Sequence, residues 1–346
     1  MLNLKSIDSV MDFDDRDELI EQFALITKID KELAQEYLLK HDFNLNIAIS
    51  NYFNTENNIV IDLTEDYLIG DQDSLSKDPQ HSRFFRVMSW NIEGLNEKSL
   101  DSRNDFIIEE ILNDIPHVVC LQEVIPTSHR KFENSKLSQH YHFISPPISI
   151  RHELGYYVVI LVRKACGITL MDQRFGEFAN SQMGRHFIVS TLLIKLKNSK
   201  KVMVRICTSH LESCAEFSSA RKEQLKQCWN EMINFSSSPE AYSIFCGDLN
   251  LRDKEIKELN GLPKELSDVW DECGARKEAK NTWDPQRNTN ISFRQAFGCR
   301  FDRLFYTKKN ANFRAVDFEL RGLRKVPGST MFPSDHWAIL GHFEIL

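Results

Sequence analysis

Ile244-Phe245-Cys246-Gly247-Asp248-Leu249-Asn250-Leu251-Arg252-Asp253 is an apolar run that breaks at a glycine into polar groups. It reads as a buried strand. Its Gly-Asp-x-Asn ending delivers a carboxylate and a carboxamide to the edge of a sheet, where loops build sites on rigid elements. Asp and Asn after a strand also serve simply to close a turn, so the stretch takes its weight from what accompanies it elsewhere in the chain.

Working outward, residues 220–235 carry Leu225, Trp229, Met232 and Ile233 on one face, which predicts an amphipathic helix feeding the strand. Upstream, 187–196 and 202–208 read as a strand pair joined through Lys197-Asn198-Ser199-Lys200, the second ending in Ser209-His210-Leu211-Glu212-Ser213. Residues 156–162 and 118–121 are short buried strands, and the latter ends in Gln122-Glu123. The spacing of Phe106, Ile107, Ile111, Leu112 and Ile115 predicts a helix over 101–115, and 84–90 is a strand ending in Asn91-Ile92-Glu93-Gly94. Downstream, 300–306 carries Asp302, and Pro333-Ser334-Asp335-His336 precedes a terminal strand over 337–345. Strands alternating with helices predict an α/β class with mixed sheets packed between helices.

Composition sets the frame. At 346 residues, 42% apolar and 27% charged, the chain fits one large domain or two, with ample material for a core. No apolar run approaches the ~20 residues of a membrane span, and residues 1–15 are acidic where a signal sequence would be basic and then apolar, so an intracellular protein is expected. The eight cysteines form no CxxC pair and several lie in apolar runs, which argues against a zinc site or a disulfide framework. Residues 1–82 hold 18 acidic against 6 basic side chains, a net of −12, whereas the remainder carries a net of +5. The two portions are different objects. A modestly basic large portion suits a polyanionic substrate, although a solvated mixed surface reads equally well.

Residues 14–56 predict three short helices: Leu19, Ile20, Phe23 and Ile26 share helical spacing, as do Leu33, Ala34, Tyr37 and Leu38, and then Ile47, Ala48, Tyr52 and Phe53. With Asp30 opening the second helix and Asn44-Leu45-Asn46 the third, residues 1–56 resemble a UBA-like domain, which implies ubiquitin as a partner. A purely structural bundle is the alternative. From 57 to 82 the periodicity gives way to Asp, Ser, Gln and Pro, marking an acidic linker. Within it, Ile59-Val60-Ile61-Asp62-Leu63-Thr64-Glu65-Asp66 is a β-prone segment followed by acids, able to add a strand to a partner's sheet edge. It resembles a SUMO-interacting motif in which Val60, Ile61 and Leu63 would fill an apolar groove. The alternative is a strand tucked onto its own domain.

Five apolar strands of the region 83–346 thus end or begin in polar groups that no core requires: Asn91, Glu123, His210, Asp248 with Asn250, and Asp335 with His336. Their chemistry fits one reaction. Glu123 is a hard oxygen ligand suited to Mg²⁺, which takes one or two carboxylates and completes its shell with water and substrate phosphate. Asp248 can orient and help deprotonate a water, and a protonated His336 steadied by a carboxylate can stabilise charge on a phosphoryl oxygen. Such a set hydrolyses phosphodiesters.

The motifs SWNIEG, LQE, TSHLES, GDLN, RFDR and SDHW, in this order, resemble the exonuclease-endonuclease-phosphatase family over residues 84–346. The resemblance implies a four-layered α/β sandwich, two mixed β-sheets flanked by helices, here preceded by the small three-helix domain. LQEVIP (121–126), TSHLES (208–213), GDLNLRD (247–253), GLP (261–263), DVWD (268–271), NTWD (281–284), RFDR (300–303) and FPSDHW (332–337) are similar to its tyrosyl-DNA phosphodiesterase branch. That branch implies Mg²⁺, with Mn²⁺ as a substitute, on Glu123, with Asn91 beside it and Asp248 near, and Asp248 with Asn250 holding the water and phosphate. His210 and His336 would grip phosphate oxygens, Asp302 would orient His336, and Ser213 with Arg252 would complete the phosphate pocket. Trp283 and Phe301, with Ile291, would wall the 5′ nucleotide, although 287–299 departs from the family pattern and core packing is the alternative for both rings. The implied substrate is a DNA 5′ end bearing a tyrosyl or peptide remnant of topoisomerase II, in the nucleus and also the cytoplasm, although no basic import run is present. Rival expectations are an abasic-site endonuclease, a phospholipid or inositol phosphate phosphodiesterase, and a ubiquitin- and SUMO-binding scaffold with an inactive catalytic domain.

Overall fold

The computed structural model describes residues 13–27, 31–39, 43, 45, 48, 61–62, 84–196, 200–293 and 297–346. By compactness the chain divides into residues 1–59 and 60–346.

In the first unit, helices Phe13–Thr27 and Lys31–Leu39 bury Ile20, Phe23, Ala34 and Leu38 with Ala48, and the Phe23 and Tyr37 rings stack 5.7 Å apart. These are the residues whose spacing predicts the first two helices. Leu45 and Ala48 are helical, but Ile47, Tyr52 and Phe53 of the third expected helix lie outside the described residues.

The second unit contains thirteen strands among the described residues: β1 (Ile61–Asp62), β2 (Phe85–Asn91), β3 (Val118–Val124), β4 (Tyr141–Ile144), β5 (Tyr157–Arg163), β6 (Ile168–Glu177), β7 (His186–Lys195), β8 (Lys201–His210), β9 (Ala241–Asp248), β10 (Leu266–Asp268), β11 (Asp302–Thr307), β12 (Phe313–Arg321) and β13 (Ala338–Ile345). They form a seven-stranded sheet, β1-β6-β7-β8-β9-β11-β10, and a six-stranded one, β12-β13-β2-β3-β5-β4. Each sheet is antiparallel apart from one parallel pair, β8 with β9 and β2 with β3. Those pairs are parallel because each is bridged by a helical crossover, Ser218–Phe235 and Leu100–Asp114 respectively.

Three apolar layers arise from period-two alternation along the strands. Val87, Cys120, Ile206, Ile244 and Cys246 meet between the sheets. Trp90, Met88, Val119 and Leu121 turn outward to Ile107 and Ile111, while Phe245 and Phe305 face Leu225, Trp229 and Met232. The result is helix, sheet, sheet, helix: the expected four-layered sandwich.

Three outcomes differ from the sequence expectation. Strands β4, β6, β10 and β12 are not foreseen: β4 and β10 span only four and three residues, and β6 and β12, half-exposed, mix polar and apolar side chains. The strand expected over 300–306 starts only at Asp302, since Arg300 and Phe301 close the loop ahead of it. In the expected linker, Ile61 and Asp62 pair antiparallel with Leu170 and Thr169, the alternative of a strand tucked onto its own domain; Val60, Leu63, Glu65 and Asp66 lie outside the described residues.

Candidate active site

Along β2, β8 and β9 the inward-facing positions change from apolar to polar toward one end. Val87 gives way to Ser89 and Asn91, Ile206 to Thr208 and His210, and Ile244 to Cys246 and Asp248. Paired register sets His210 opposite Asp248, and Asp248 opposite Asp302. Glu123 joins them by a different device. Alternation would turn it away from the side that Gln122 faces. However, its φ of 55° and the register shift between Leu121 and Val124 bring the side chain round to Asn91. Gly247 lets β8 and β9 run close: a Cβ there would lie 1.9 Å from Ser209 O. Below the site Gln122 Nε2 donates to Ser89 Oγ (3.1 Å) and Thr208 Oγ1 (3.2 Å), a buried polar strut between the two sheets.

Asp248 Oδ2 is the centre. Asn91 Nδ2 donates to it at 3.0 Å, His210 Nε2 stands at 3.3 Å and His336 Nε2 at 3.7 Å, while Asp248 Oδ1 accepts the Asn250 N–H at 3.0 Å. Burial alone would raise this carboxyl, but the two histidines, Asn91 and the Asn250 amide outweigh it and hold it below its ordinary value. His336 Nδ1 lies 2.8 Å from Asp302 Oδ2. Burial opposes a charged imidazole, yet Asp302, Asp248 and Asp335 hold His336 well above its ordinary value, so it carries its second proton at neutral pH. The backbone fixes this residue as well: Ser334 Oγ donates to Asn91 O (2.6 Å) and accepts the His336 N–H (3.0 Å), and Trp90 Nε1 donates to His336 O.

Glu123 is the opposite case. Burial first, and then the nearby Asp335 and Asp248, push its carboxyl up to about 7 despite the Asn91 hydrogen bond and the charge on His336. His210, pulled well below its ordinary value by burial and by the Arg185 charge, is neutral, and its Nδ1, 3.9 Å from Glu123 Oε1, has no hydrogen-bond partner among the described residues. A crowded carboxylate facing an unused imidazole nitrogen is a set of donors that fits a divalent cation. Asp248, Asp302 and His336 also offer ligand atoms within 4.8 Å of one another. A protonated His336 already bonded to Asp302 presents a donor there, so Glu123 is the better anchor. Asn91 stands beside the acids: its Oδ1 accepts the Glu93 N–H (3.0 Å) and its Nδ2 faces Glu123 and Asp248, so it spaces the two carboxylates.

The remaining expected residues divide. Asn250 is placed by a φ of 51°, and its Nδ2 donates to Leu211 O. Arg252 donates to Asn250 O and lies over the Phe301 ring at 5.4 Å. Phe301 stands between Trp283, 5.8 Å away, and His336, 6.4 Å away. Trp283 is fastened by single backbone bridges to Cys299 and His336, and its Nε1 donates to Asp335 Oδ2. Both rings are half-buried beside the site. Ile291 is buried in the loop that Asn288 and Asn290 fasten to Ser334 O and Phe332 O. Ser213 lies at the rim.

Two residues escape the sequence reading. Arg185 is 5% exposed and donates to Ser213 Oγ at 2.6 Å, and its guanidinium lies 5.4 Å from the centre of the Tyr156 ring; its Nε and Nη1 have no partner among the described residues. Tyr156 in turn is 6.3 Å from the His210 ring. A buried guanidinium beside Tyr156, whose ring lies next to His210, suits an anion. It sits in an aperiodic loop, and only the proximity of Ser213 in space reveals it.

The comparisons with known proteins agree with this fold. The model of the endonuclease/exonuclease/phosphatase family matches residues 88–336, and that of the UBA-like domain matches 17–58. Human tyrosyl-DNA phosphodiesterase 2 is 30% identical over 95% of this chain and 92% of its own length. The 5′-tyrosyl-DNA phosphodiesterase of Caenorhabditis briggsae is 29% identical over 94% and 89%. The crystal structure of D. rerio TDP2 complexed with single-strand DNA product superposes with a TM-score of 0.67 at 30% identity, covering 75% of this chain and 99% of that one.

Proposed function

The chain belongs to the endonuclease/exonuclease/phosphatase family, and from that premise we propose that it is a Mg²⁺-dependent hydrolase of the 5′-phosphotyrosyl bond between DNA and a trapped topoisomerase II tyrosine or peptide. The observation that carries the reading is the ring of Asn91, His210 and His336 around Asp248 Oδ2 with Glu123 beside it. The names of relatives that match nearly the whole chain support the choice of substrate.

Glu123 would hold Mg²⁺, which when bound supplies Lewis-acid stabilisation of charge on the phosphoryl oxygens and the leaving oxygen. The chain's own residues do the rest. Asp248, ionised and held low, orients the attacking water; a carboxylate so well solvated by its donors is a positioner of water more than a lasting acceptor of its proton. His336, charged and steered by Asp302, and His210, donating from Nε2 in its neutral form, offer hydrogen bonds to the non-bridging oxygens as charge grows there. The water oxygen bonds phosphorus as the bond to the phenolic oxygen breaks, giving a 5′-phosphate and free tyrosine or peptide. A phenol with an unperturbed pKa of ~10 leaves with less help than an alkyl alcohol. The Arg185 guanidinium, beside Tyr156, would meet that phenolate. Trp283 and Phe301 would take the 5′ nucleotide.

The amino-terminal UBA-like unit would bring the enzyme to ubiquitin-bearing adducts, and Val60, Ile61 and Leu63 would serve SUMO. A DNA-adduct substrate would call for the protein in the nucleus, and the reading includes a cytoplasmic pool. The test compares a 5′-tyrosyl oligonucleotide, an abasic duplex and a soluble inositol phosphate ester at equal Mg²⁺. The first is expected to turn over fastest; preference for either of the others overturns the substrate assignment.

A further inference from the structure

Glu212 lies between His210 and Ser213 in the stretch TSHLES, yet the hydrolysis of the phosphotyrosyl bond makes no direct use of it. Its side chain is fully buried and accepts four hydrogen bonds: from Gln182 N–H (2.9 Å) and Met183 N–H (3.0 Å) on one oxygen, and from Ser181 Oγ (2.8 Å) and Gln224 Nε2 (3.0 Å) on the other. Three of the four donors belong to the loop that immediately precedes Arg185. Ser181 Oγ also accepts the Arg185 N–H at 2.7 Å, so an unbroken path runs from the Glu212 carboxylate to the Arg185 backbone. The loop has no apolar anchor of its own there: Ser181 and Met183 are half-buried, and Gln182 and Gly184 are exposed. Although burial works against an ionised acid, these donors outweigh it and hold Glu212 below its ordinary value.

A buried carboxylate with four acceptor bonds is a costly way to fasten a short surface loop unless the position of the next residue in the chain matters. That residue is Arg185, whose guanidinium Nε and Nη1 are without hydrogen-bond partners among the described residues. We propose that Glu212 is a positioning residue that clamps loop 181–184 and thereby aims Arg185 at the leaving phenolic oxygen, an assignment that rests on the proposed phosphotyrosyl substrate. Glu212→Gln keeps the size and one acceptor oxygen but sets an amide NH₂ against two donors. Misplacing a group near the reacting atoms in this way costs roughly 10²-fold in rate.

The test is a double-mutant cycle in the full-length chain with Glu212→Gln and Arg185→Ala, using oligonucleotides whose 5′ phosphate carries either tyrosine or the more acidic 4-nitrophenol. On the tyrosyl substrate Glu212→Gln is expected to lower kcat about 10²-fold with KM nearly unchanged. On the 4-nitrophenyl substrate the loss shrinks, because a better leaving group needs less from Arg185. The double variant is expected to be no slower than Arg185→Ala alone, since residues acting through one another are not additive. Losses that multiply, or that are equal on both substrates, overturn the proposal while leaving the phosphotyrosyl reading intact. A wild-type enzyme inactive on the tyrosyl substrate overturns both. Should Glu212→Gln fail to fold, Ser181→Ala, which removes one of the four Glu212 donors together with the link to the Arg185 backbone, is expected to show the same pattern at smaller size and to overturn the proposal if it does not.

Discussion

Asp302→Asn removes a negative charge whose oxygen lies 2.8 Å from His336 Nδ1 in a buried pair. At an effective dielectric near 20, two unit charges about 4 Å apart interact by ~4 kcal/mol, equivalent to roughly 3 pKa units. That lowers the imidazole substantially, with burial opposing its charged form and only Asp248 and Asp335 left to favour it. The variant's His336 is therefore expected to give up its second proton at lower pH than in the wild type. Losing a charged donor to the transition state costs about 3–4 kcal/mol, or roughly 10²–10³-fold in kcat. The pH dependence identifies the cause. In the wild type a raised imidazole stays protonated through neutrality and loses its proton only as pH rises through the raised value, whereas the variant loses it at lower pH. The ratio of wild-type to variant rate is therefore expected to be smallest near pH 5.5 and to grow towards pH 8, and in this ratio the titration of Glu123 largely cancels. Single-turnover cleavage of a 5′-tyrosyl oligonucleotide at saturating Mg²⁺ measures it. A loss below tenfold at pH 7.5, or a ratio that does not change with pH, would refute the role given to the Asp302–His336 pair.

The same geometry sets other outcomes. Because Glu123 is pushed up to about 7 and must be ionised to bind a cation, Mg²⁺ affinity measured by calorimetry should weaken about tenfold per pH unit below that value and release a proton on binding, while Glu123→Gln abolishes it. Gly247→Ala sets a methyl 1.9 Å from Ser209 O, where only backbone can yield, and should cost at least ~3 kcal/mol in denaturant unfolding; a variant as stable as wild type would show that β8 and β9 are less tightly apposed. Trp283→Ala should raise KM for the oligonucleotide by about tenfold or more, from the loss of ~1–3 kcal/mol of base stacking, with kcat nearly unchanged. An unaltered KM would return that ring to packing.

The legible parts of the sequence are those where burial on both faces leaves an apolar run and its polar stop. β3 and β9 are of this kind, and so Glu123 and Asp248 stand out. β6 and β12 stay hidden because one face of each is partly in water and their side chains alternate without a clean period. Within the site, residue types are readable and directions are not. That Glu123 faces Asn91 depends on a left-handed backbone at a non-glycine, and that Asn91 presents nitrogen to the acids depends on the Glu93 amide claiming its oxygen. Arg185 is illegible for a third reason: it reaches Ser213 across 28 residues, a proximity that only the fold creates.

The central claim is that this chain places water on the phosphorus of a 5′-phosphotyrosyl bond with a divalent ion on Glu123. Cleavage of a 5′-tyrosyl oligonucleotide in ¹⁸O-water, with Mg²⁺ and with EDTA, tests it most directly. The account predicts a 5′-phosphate carrying one ¹⁸O, unlabelled tyrosine, no reaction in EDTA and recovery when Mg²⁺ is restored. Cleavage that persists in EDTA, or a product lacking the label in its 5′-phosphate, would contradict it.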